Sequence, residues 1–157
     1  MTDASHPYAA CLCLASRRLA RVVTQVYDQA LAETGLKITQ FSVLCALDYT
    51  RGKAVPLAAV AQALDMEPSS LTRALNPLVR DGLVELSHGE DRRQRWGRLT
   101  QAGLTRLEAA RSCWRRAQDA AASRLGPGEI GRLIDGLNAA RQSFEAEATQ
   151  TTKGSAQ

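Results

Sequence analysis

Four of the seven residues from Arg92 to Arg98 are arginine (Arg92, Arg93, Arg95, Arg98), and this charge lies between two short apolar runs. The first run is Leu83-Val84-Glu85-Leu86 and the second ends at Leu99, with Ser87-His88-Gly89-Glu90-Asp91 separating them. Two strand-length runs joined through turn-forming residues predict a β-hairpin, here one with a cationic tip. A basic loop carried on a rigid hairpin suits phosphates and the minor groove, whose negative potential attracts arginine. A charge run alone is most often solvated surface. What distinguishes this one is its place directly after a helix–turn–helix pattern.

That pattern is written in the helix punctuation. Leu57 to Leu64 predicts a short helix, and Asp65-Met66-Glu67 the turn that follows it. Glu67 and Pro68 suit the N-cap and first helical positions of the next helix, because proline's missing N–H costs little there. This helix is expected to run through Ser69, Ser70, Leu71, Thr72, Arg73, Ala74 and Leu75 to about Asp81-Gly82. Pro77 conflicts with it, since an interior proline removes the backbone bond to Arg73 and predicts a bend or a loosened last turn.

Longer helices flank this centre. Residues 8 to 33 carry Leu12, Leu19, Val23, Val26 and Ala30 on one stripe, with Arg17, Arg18, Arg21, Gln25 and Asp28 largely elsewhere. Gly35 suits the left-handed position that ends this helix. Thr39 is expected to cap a second helix whose buried face is Phe41, Leu44, Cys45 and Leu47, fading near Tyr49 to Gly52. Thr100 is expected to cap a long helix to Leu125, with Leu104, Leu107, Trp114 and Ala121 on its buried stripe. Gly126-Pro127-Gly128 breaks it, and Ile130, Leu133, Ile134, Leu137 and Phe144 mark a last helix. From Thr149 the chain is polar and expected to be disordered. Apolar stripes on such long end helices exceed what so small a centre can bury, which predicts association with a second copy.

Composition excludes several classes. The chain has 157 residues, enough for one ordinary domain, and a net charge of +4, which permits a polyanionic partner without requiring one. No apolar run is long enough to cross a bilayer, and Met1 to Pro7 lacks a signal-peptide core, so a cytoplasmic protein with no membrane contact is expected. Cys11, Cys13, Cys45 and Cys113 form no metal-ligand spacing. Cys11 and Cys13, two apart on a predicted helix, should point about 200° from each other. With His6 and His88 isolated, there is no nucleophile–base pair and no glycine-rich phosphate loop. The sequence therefore predicts no enzyme, no metal and no cofactor.

The order Gly35-Leu36-x-x-Thr39-Gln40-Phe41, Leu57-Ala58-Ala59-Val60-Ala61-x-x-Leu64 and Ser69-Ser70-Leu71-Thr72-Arg73 resembles the MarR family of winged-helix regulators. The likeness continues through Leu78-x-x-x-Gly82-Leu83-Val84, Asp91-Arg92-Arg93 and Leu99-Thr100-x-x-Gly103, and covers residues 8 to 146. It implies a mostly α fold with a small β-hairpin wing. Residues 1–148 would form one MarR-type domain, with dimerisation helices at 8–34 and 100–146, a DNA-binding lobe at 39–99, and a disordered tail at 149–157. A homodimer of this kind binds a pseudo-palindromic double-stranded DNA operator, most often as a repressor of transcription. The resemblance places Ser69, Ser70, Thr72, Arg73 and Asn76 on the recognition-helix face. Arg73 suits paired hydrogen bonds to guanine, and Asn76 suits adenine or a phosphate. Arg93 matches the minor-groove arginine of the wing, beside Arg92 and Arg95. Asp91 matches a carboxylate that orients a neighbouring arginine. Arg98 is equally suited to an acidic partner in its own domain. Trp96 and Gly97 stand where small aliphatic residues are usual, which predicts a distorted outgoing strand.

Two signals are compatible with this resemblance. A small aromatic or carboxylate effector would use Arg17 (or Arg18) as its cation and Tyr27, Phe41 and Cys45 as apolar wall. Alternatively, Cys13 aligns with the reactive thiol of the organic-hydroperoxide-sensing branch and Tyr27 with one of its tyrosines, with Cys113 as a resolving partner. Ile38 and Arg17 depart from that branch, and a plain apolar packing role for the cysteine stands beside it. A winged-helix module that binds protein instead of DNA, and a thiol-dependent enzyme using Cys13 without an identifiable base, complete the alternatives.

Overall fold

The computed structural model describes residues 10–89 and 94–154, with 147–154 as backbone only. It divides into two compact units, Met1–Ala117 and Gln118–Gln157, a boundary inside a helix that no linker in the sequence announces. The first unit holds α1 (Leu12–Leu31), a 3-10 turn (Ala32–Thr34), α2 (Ile38–Asp48), β1 (Val55–Pro56), α3 (Leu57–Ala63), α4 (Pro68–Arg80), β2 (Val84–His88), β3 (Arg95–Leu99) and most of α5 (Gln101–Leu125). The second unit contains the end of α5 and α6 (Glu129–Gly154).

Local chemistry sets the boundaries. Cys11 is the extended N-cap of α1, so the first helix starts at Leu12; residues 8 and 9, where the sequence predicts its start, lie outside the described residues. Cys11 thus stands at the cap of α1 and Cys13 in its first turn, both exposed. Gly35 adopts the left-handed conformation (φ +70°) that ends the 3-10 turn. The second helix begins earlier than Thr39: Lys37 is its N-cap, the Lys37 N–H donates to Gln40 Oε1 (2.8 Å), and Asp28 Oδ1 accepts the Ile38 N–H (2.8 Å). A carboxylate from α1 thus satisfies a donor that a helix start leaves open. Glu67 and Pro68 open α4 as expected, and α4 passes Pro77 without ending, the Asp81 N–H bonding the Pro77 carbonyl at 2.9 Å.

The hairpin belongs to a three-stranded antiparallel sheet of order β1-β3-β2. Val84 pairs with Leu99 and His88 with Arg95, while the two-residue β1 places Val55 opposite Gly97 and Pro56 opposite Trp96. The distortion predicted for Trp96 and Gly97 is absent: β3 pairs regularly on both sides. Gly97 instead packs closely beneath Leu57: a Cβ there would stand 2.9 Å from Leu57 Cδ2, so that side chain would have to shift. Leu31, Val43, Leu44, Leu47, Leu78, Val84 and Leu107 are fully buried and join α1, α2, α4, α5 and the sheet in one core.

Thr100 caps α5, its Oγ1 accepting the Gly103 N–H at 3.0 Å and donating to the Gly82 carbonyl at 2.7 Å. The buried stripe of α5 differs from the expected one. Gly103, Leu107, Ala110, Cys113 and Ala117 are buried, whereas Leu104, Trp114 and Ala121 are half-buried. Small side chains let α5 approach its neighbours closely, and the larger ones lean along the flank. In the second unit Gly126 and Gly128 take positive φ at the break, and α6 continues to Gly154 through the stretch expected to be disordered. No glycine or proline interrupts the segment between Gly136 and Gly154.

Candidate nucleic-acid interface

Helix α4 is amphipathic in the literal sense that its burial pattern fixes its outer face. Leu71, Ala74, Leu75 and Leu78 are buried at helical spacing. The opposite face presents Ser69, Thr72, Arg73 and Asn76, all exposed, with Ser70 half-buried on the flank. Two of these side chains bond to their own helix. Thr72 Oγ1 donates to the Pro68 carbonyl (2.9 Å), and Arg73 donates from Nε to the Ser69 carbonyl (3.3 Å) and from Nη2 to Ser69 Oγ (3.4 Å). The guanidinium is therefore laid back along the first turn of α4.

The hairpin follows α4 through a tight connection in which the Leu83 N–H bonds the Leu78 carbonyl at 2.8 Å. Arg95 is exposed at the first position of β3, opposite His88. Arg92 and Arg93, together with Asp91, lie outside the described residues. The Gly89 N–H bonds the Gln94 carbonyl at 3.0 Å, which brings together the two ends of the arginine-bearing tip. Arg98 takes the intramolecular role: its Nε and Nη2 donate to Glu85 Oε2 at 3.0 and 2.6 Å across the sheet.

The residues expected around an effector do not gather at one cavity. Phe41 is buried in the core and stacks on Trp114, ring centroids 6.1 Å apart. Cys45 is half-buried, and burial pushes its thiol pKa up against the opposing pull of Arg111. Tyr27 is half-buried, its pKa raised by the same cause, and Arg17 is exposed on α1. Cys13 is exposed, whereas Cys113 is 2% exposed.

A depression of about 590 Å³ lies elsewhere, lined by Glu33, Thr34, Gly35, Arg106, Ala109, Ser112 and Cys113. Sequence reasoning missed it because its walls come from a helix end and from one helix face far along the chain. The Cys113 thiol donates to Glu33 Oε1 (2.9 Å), and Arg116 Nη2 donates to the same oxygen (2.6 Å). Together these hold the Glu33 carboxyl below the usual carboxylate range. Arg106 Nη1 donates to the Thr34 carbonyl at 2.8 Å. The cluster ties the end of α1 to α5. Among the described residues no group of three or more His, Cys, Asp or Glu could hold a metal ion, and no helix is long and apolar enough to cross a membrane.

Known proteins with this arrangement regulate transcription. A family model described as the MarR family matches residues 34–94. The transcriptional regulator MosR of M. tuberculosis, solved in complex with DNA, is 33% identical with a TM-score of 0.77, over 87% of this chain and 97% of that one. A second MosR structure is 32% identical with a TM-score of 0.73, covering 87% and 98%. BpsR of Bordetella bronchiseptica, whose DNA binding is regulated by 6-hydroxynicotinic acid, shares the fold at 23% identity and a TM-score of 0.72, covering 86% and 97%. No curated protein sequence matches the chain.

Proposed function

The chain belongs to the MarR family and is a DNA-binding transcriptional regulator; from that premise we propose that it acts as a homodimeric repressor on a pseudo-palindromic operator. One observation carries the reading: α4 buries one face completely and offers Ser69, Thr72, Arg73 and Asn76 on the other, directly before a hairpin with an arginine-rich tip. Arg73 reads guanine in the major groove, Asn76 reads adenine or steadies a phosphate, and Ser69, Ser70 and Thr72 fix the helix on the backbone. Arg92, Arg93 and Arg95 follow the adjoining minor groove and its phosphates.

The second copy is supported by apolar surface that each unit leaves uncovered. On α1, Leu12, Leu19, Val22 and Val23 are between 39% and 58% exposed. On α6, Leu133, Ile134, Leu137 and Phe144 are exposed to a similar extent. Pairing through residues 8–34 and 100–146 removes this surface from water and sets two 39–99 lobes on successive major grooves, about 34–36 Å apart. A cytoplasmic location follows from this role.

The signal in this reading is a small aromatic or carboxylate compound that favours a lobe spacing unable to fit DNA. Of the residues named for it, Arg17 is exposed and Tyr27 and Cys45 are half-buried, whereas Phe41 is committed to the core. The redox alternative keeps one favourable observation, the exposure of Cys13 near the start of α1. Cys113, its supposed partner, is buried and already bonded to Glu33.

The test is binding to duplex DNA from the region upstream of its own coding sequence, measured across salt concentration, with and without aromatic acids and peroxide. Steep loss of affinity with salt is expected. Arg93→Ala should weaken binding to every duplex and flatten the salt dependence, while Arg73→Ala should also relax preference among sequences. Absence of duplex binding in dilute buffer favours the protein-binding module instead. Equal losses from both variants on all sequences refute the division of roles.

A further inference from the structure

The residues expected around an effector lie apart, yet the depression of about 590 Å³ between the end of α1 and α5 has the volume of a small-molecule site. It is not the flank of α5 that Phe41 and Cys45 adjoin. Helix α5 meets α2 through Arg111, bonded to Asp48, and through Trp114, stacked on Phe41. At about 100° per residue, Arg106, Ala109 and Cys113 face roughly 140° round the helix from that contact. The walls are polar: Glu33, Arg106 and Ser112 line them, and only Ala109 and Cys113 among the lining residues are apolar. An aromatic ring gains little from such a surface.

Charge narrows the occupant further. On α5, Arg111 and Arg116 pair with Asp48 and Glu33. Arg106 is half-buried and its Nη1 donates to the Thr34 carbonyl, but it has no carboxylate partner among the described residues. A guanidinium carries five N–H donors, and shielding one from water without a counter-charge is unfavourable, so an anion is welcome there. Glu33 is answered on one side only. The Cys113 thiol and Arg116 both donate to Oε1, which leaves Oε2 with accepting capacity. Two guanidinium groups against one carboxylate leave a single positive charge at the depression. A monoanion balances it, whereas a zwitterion does not.

We propose that this depression binds a small hydroxy carboxylate, its carboxylate on Arg106 and its hydroxyl on Glu33, and that this occupant is the effector that releases DNA. The last clause rests on the regulatory reading given above. The depression lies where α1 gives way, through Gly35, to the DNA-binding lobe. An occupant bonded to both Glu33 and Arg106 sets the spacing of α1 and α5 at that joint, and so favours one lobe position over another.

The experiment titrates the full chain, without DNA, by calorimetry with lactate and glycerate, and with propionate and L-alanine as the hydroxyl-free and zwitterionic counterparts of lactate. The tighter hydroxy acid should bind at least about fivefold more strongly than propionate, by one hydrogen bond to a charged acceptor. L-alanine should bind more weakly than lactate. Arg106→Gln should weaken the hydroxy acid by about tenfold or more, and Arg106→Lys, which keeps the charge, by less. Thermal midpoints separate lost binding from lost fold, and the comparison with propionate needs only the parent chain. Saturating hydroxy acid should then weaken binding to duplex DNA from the chain's own upstream region by about fivefold or more. Equal binding of hydroxy acid and propionate, tighter binding of L-alanine, indifference to Arg106→Gln, or an unchanged duplex affinity each overturns the proposal. A parent that binds no duplex before any acid is added marks failure of the DNA reading itself, and the effector falls with it.

Discussion

Gly103 lies in the first turn of α5, where helix propensity alone favours alanine by about 1 kcal/mol. Packing reverses the sign. A Cβ at residue 103 would fall well inside the Leu83 carbonyl oxygen and 3.1 Å from its carbon, with Leu99 Cδ2 at 3.2 Å. The obstruction is backbone, so no rotamer relieves it. Ordinary C···O contacts begin near 3.3 Å, so the start of α5 and the Leu83 strand must separate by roughly an ångström. That separation loosens three bonds: Thr100 N–H to Leu83 O (3.1 Å), and Thr100 Oγ1 to Leu83 O (3.2 Å) and Gly82 O (2.7 Å). At about 1 kcal/mol each, less the propensity gain, Gly103→Ala should cost about 2 kcal/mol. For a chain of this size that lowers the thermal midpoint by about 4–8 °C. Far-UV circular dichroism at fixed protein concentration measures it, with Gln101→Ala, exposed in the same turn, expected to stay near the parent. A Gly103→Ala protein as stable as the parent, or more so, would refute this account of the α5–sheet junction.

Other expectations follow from the same contacts. The folded Glu33 carboxyl ionises more readily than in the unfolded chain, so its stabilisation is complete above the ordinary glutamate range and fades as pH falls through the lower folded value. Glu33→Gln should therefore be less stable than the parent at neutral pH, with the gap in urea midpoint closing toward acid; a constant gap contradicts the linkage. Thr100→Ala should lose about 1–2 kcal/mol as a capping deletion, recovered in part by Thr100→Ser. Asp48 accepts a charged bond from Arg111 at 2.6 Å, tying α2 to α5 with both side chains partly shielded. Asp48→Ala should cost about 1.5–3 kcal/mol, and Arg111→Ala in that background should add little.

What was legible in the sequence was local. Gly35, Glu67-Pro68, Thr100 and Gly126-Pro127-Gly128 mark boundaries through backbone conformation and capping, which depend on few neighbours. The start of α2 was misplaced because its first donor is satisfied by Asp28, ten residues upstream in another helix. Strand β1 escaped notice because two residues, one a proline, carry no alternation. On α5 the eye follows Leu104 and Trp114, yet the closest packing belongs to Gly103, Ala110 and Ala117, whose small size hides their burial. The outward face of α4 was placed by the family resemblance, not by spacing. The surroundings of Phe41 were not legible, because Trp114 reaches it from far along the chain.

One of the two edges of the sheet is β1, two residues long and ending in Pro56, which has no N–H to offer. An approaching strand from another molecule finds almost no ladder to extend there. That border therefore gives fibril growth little to build on, and any strand-wise pairing between molecules would have to use β2 on the opposite side.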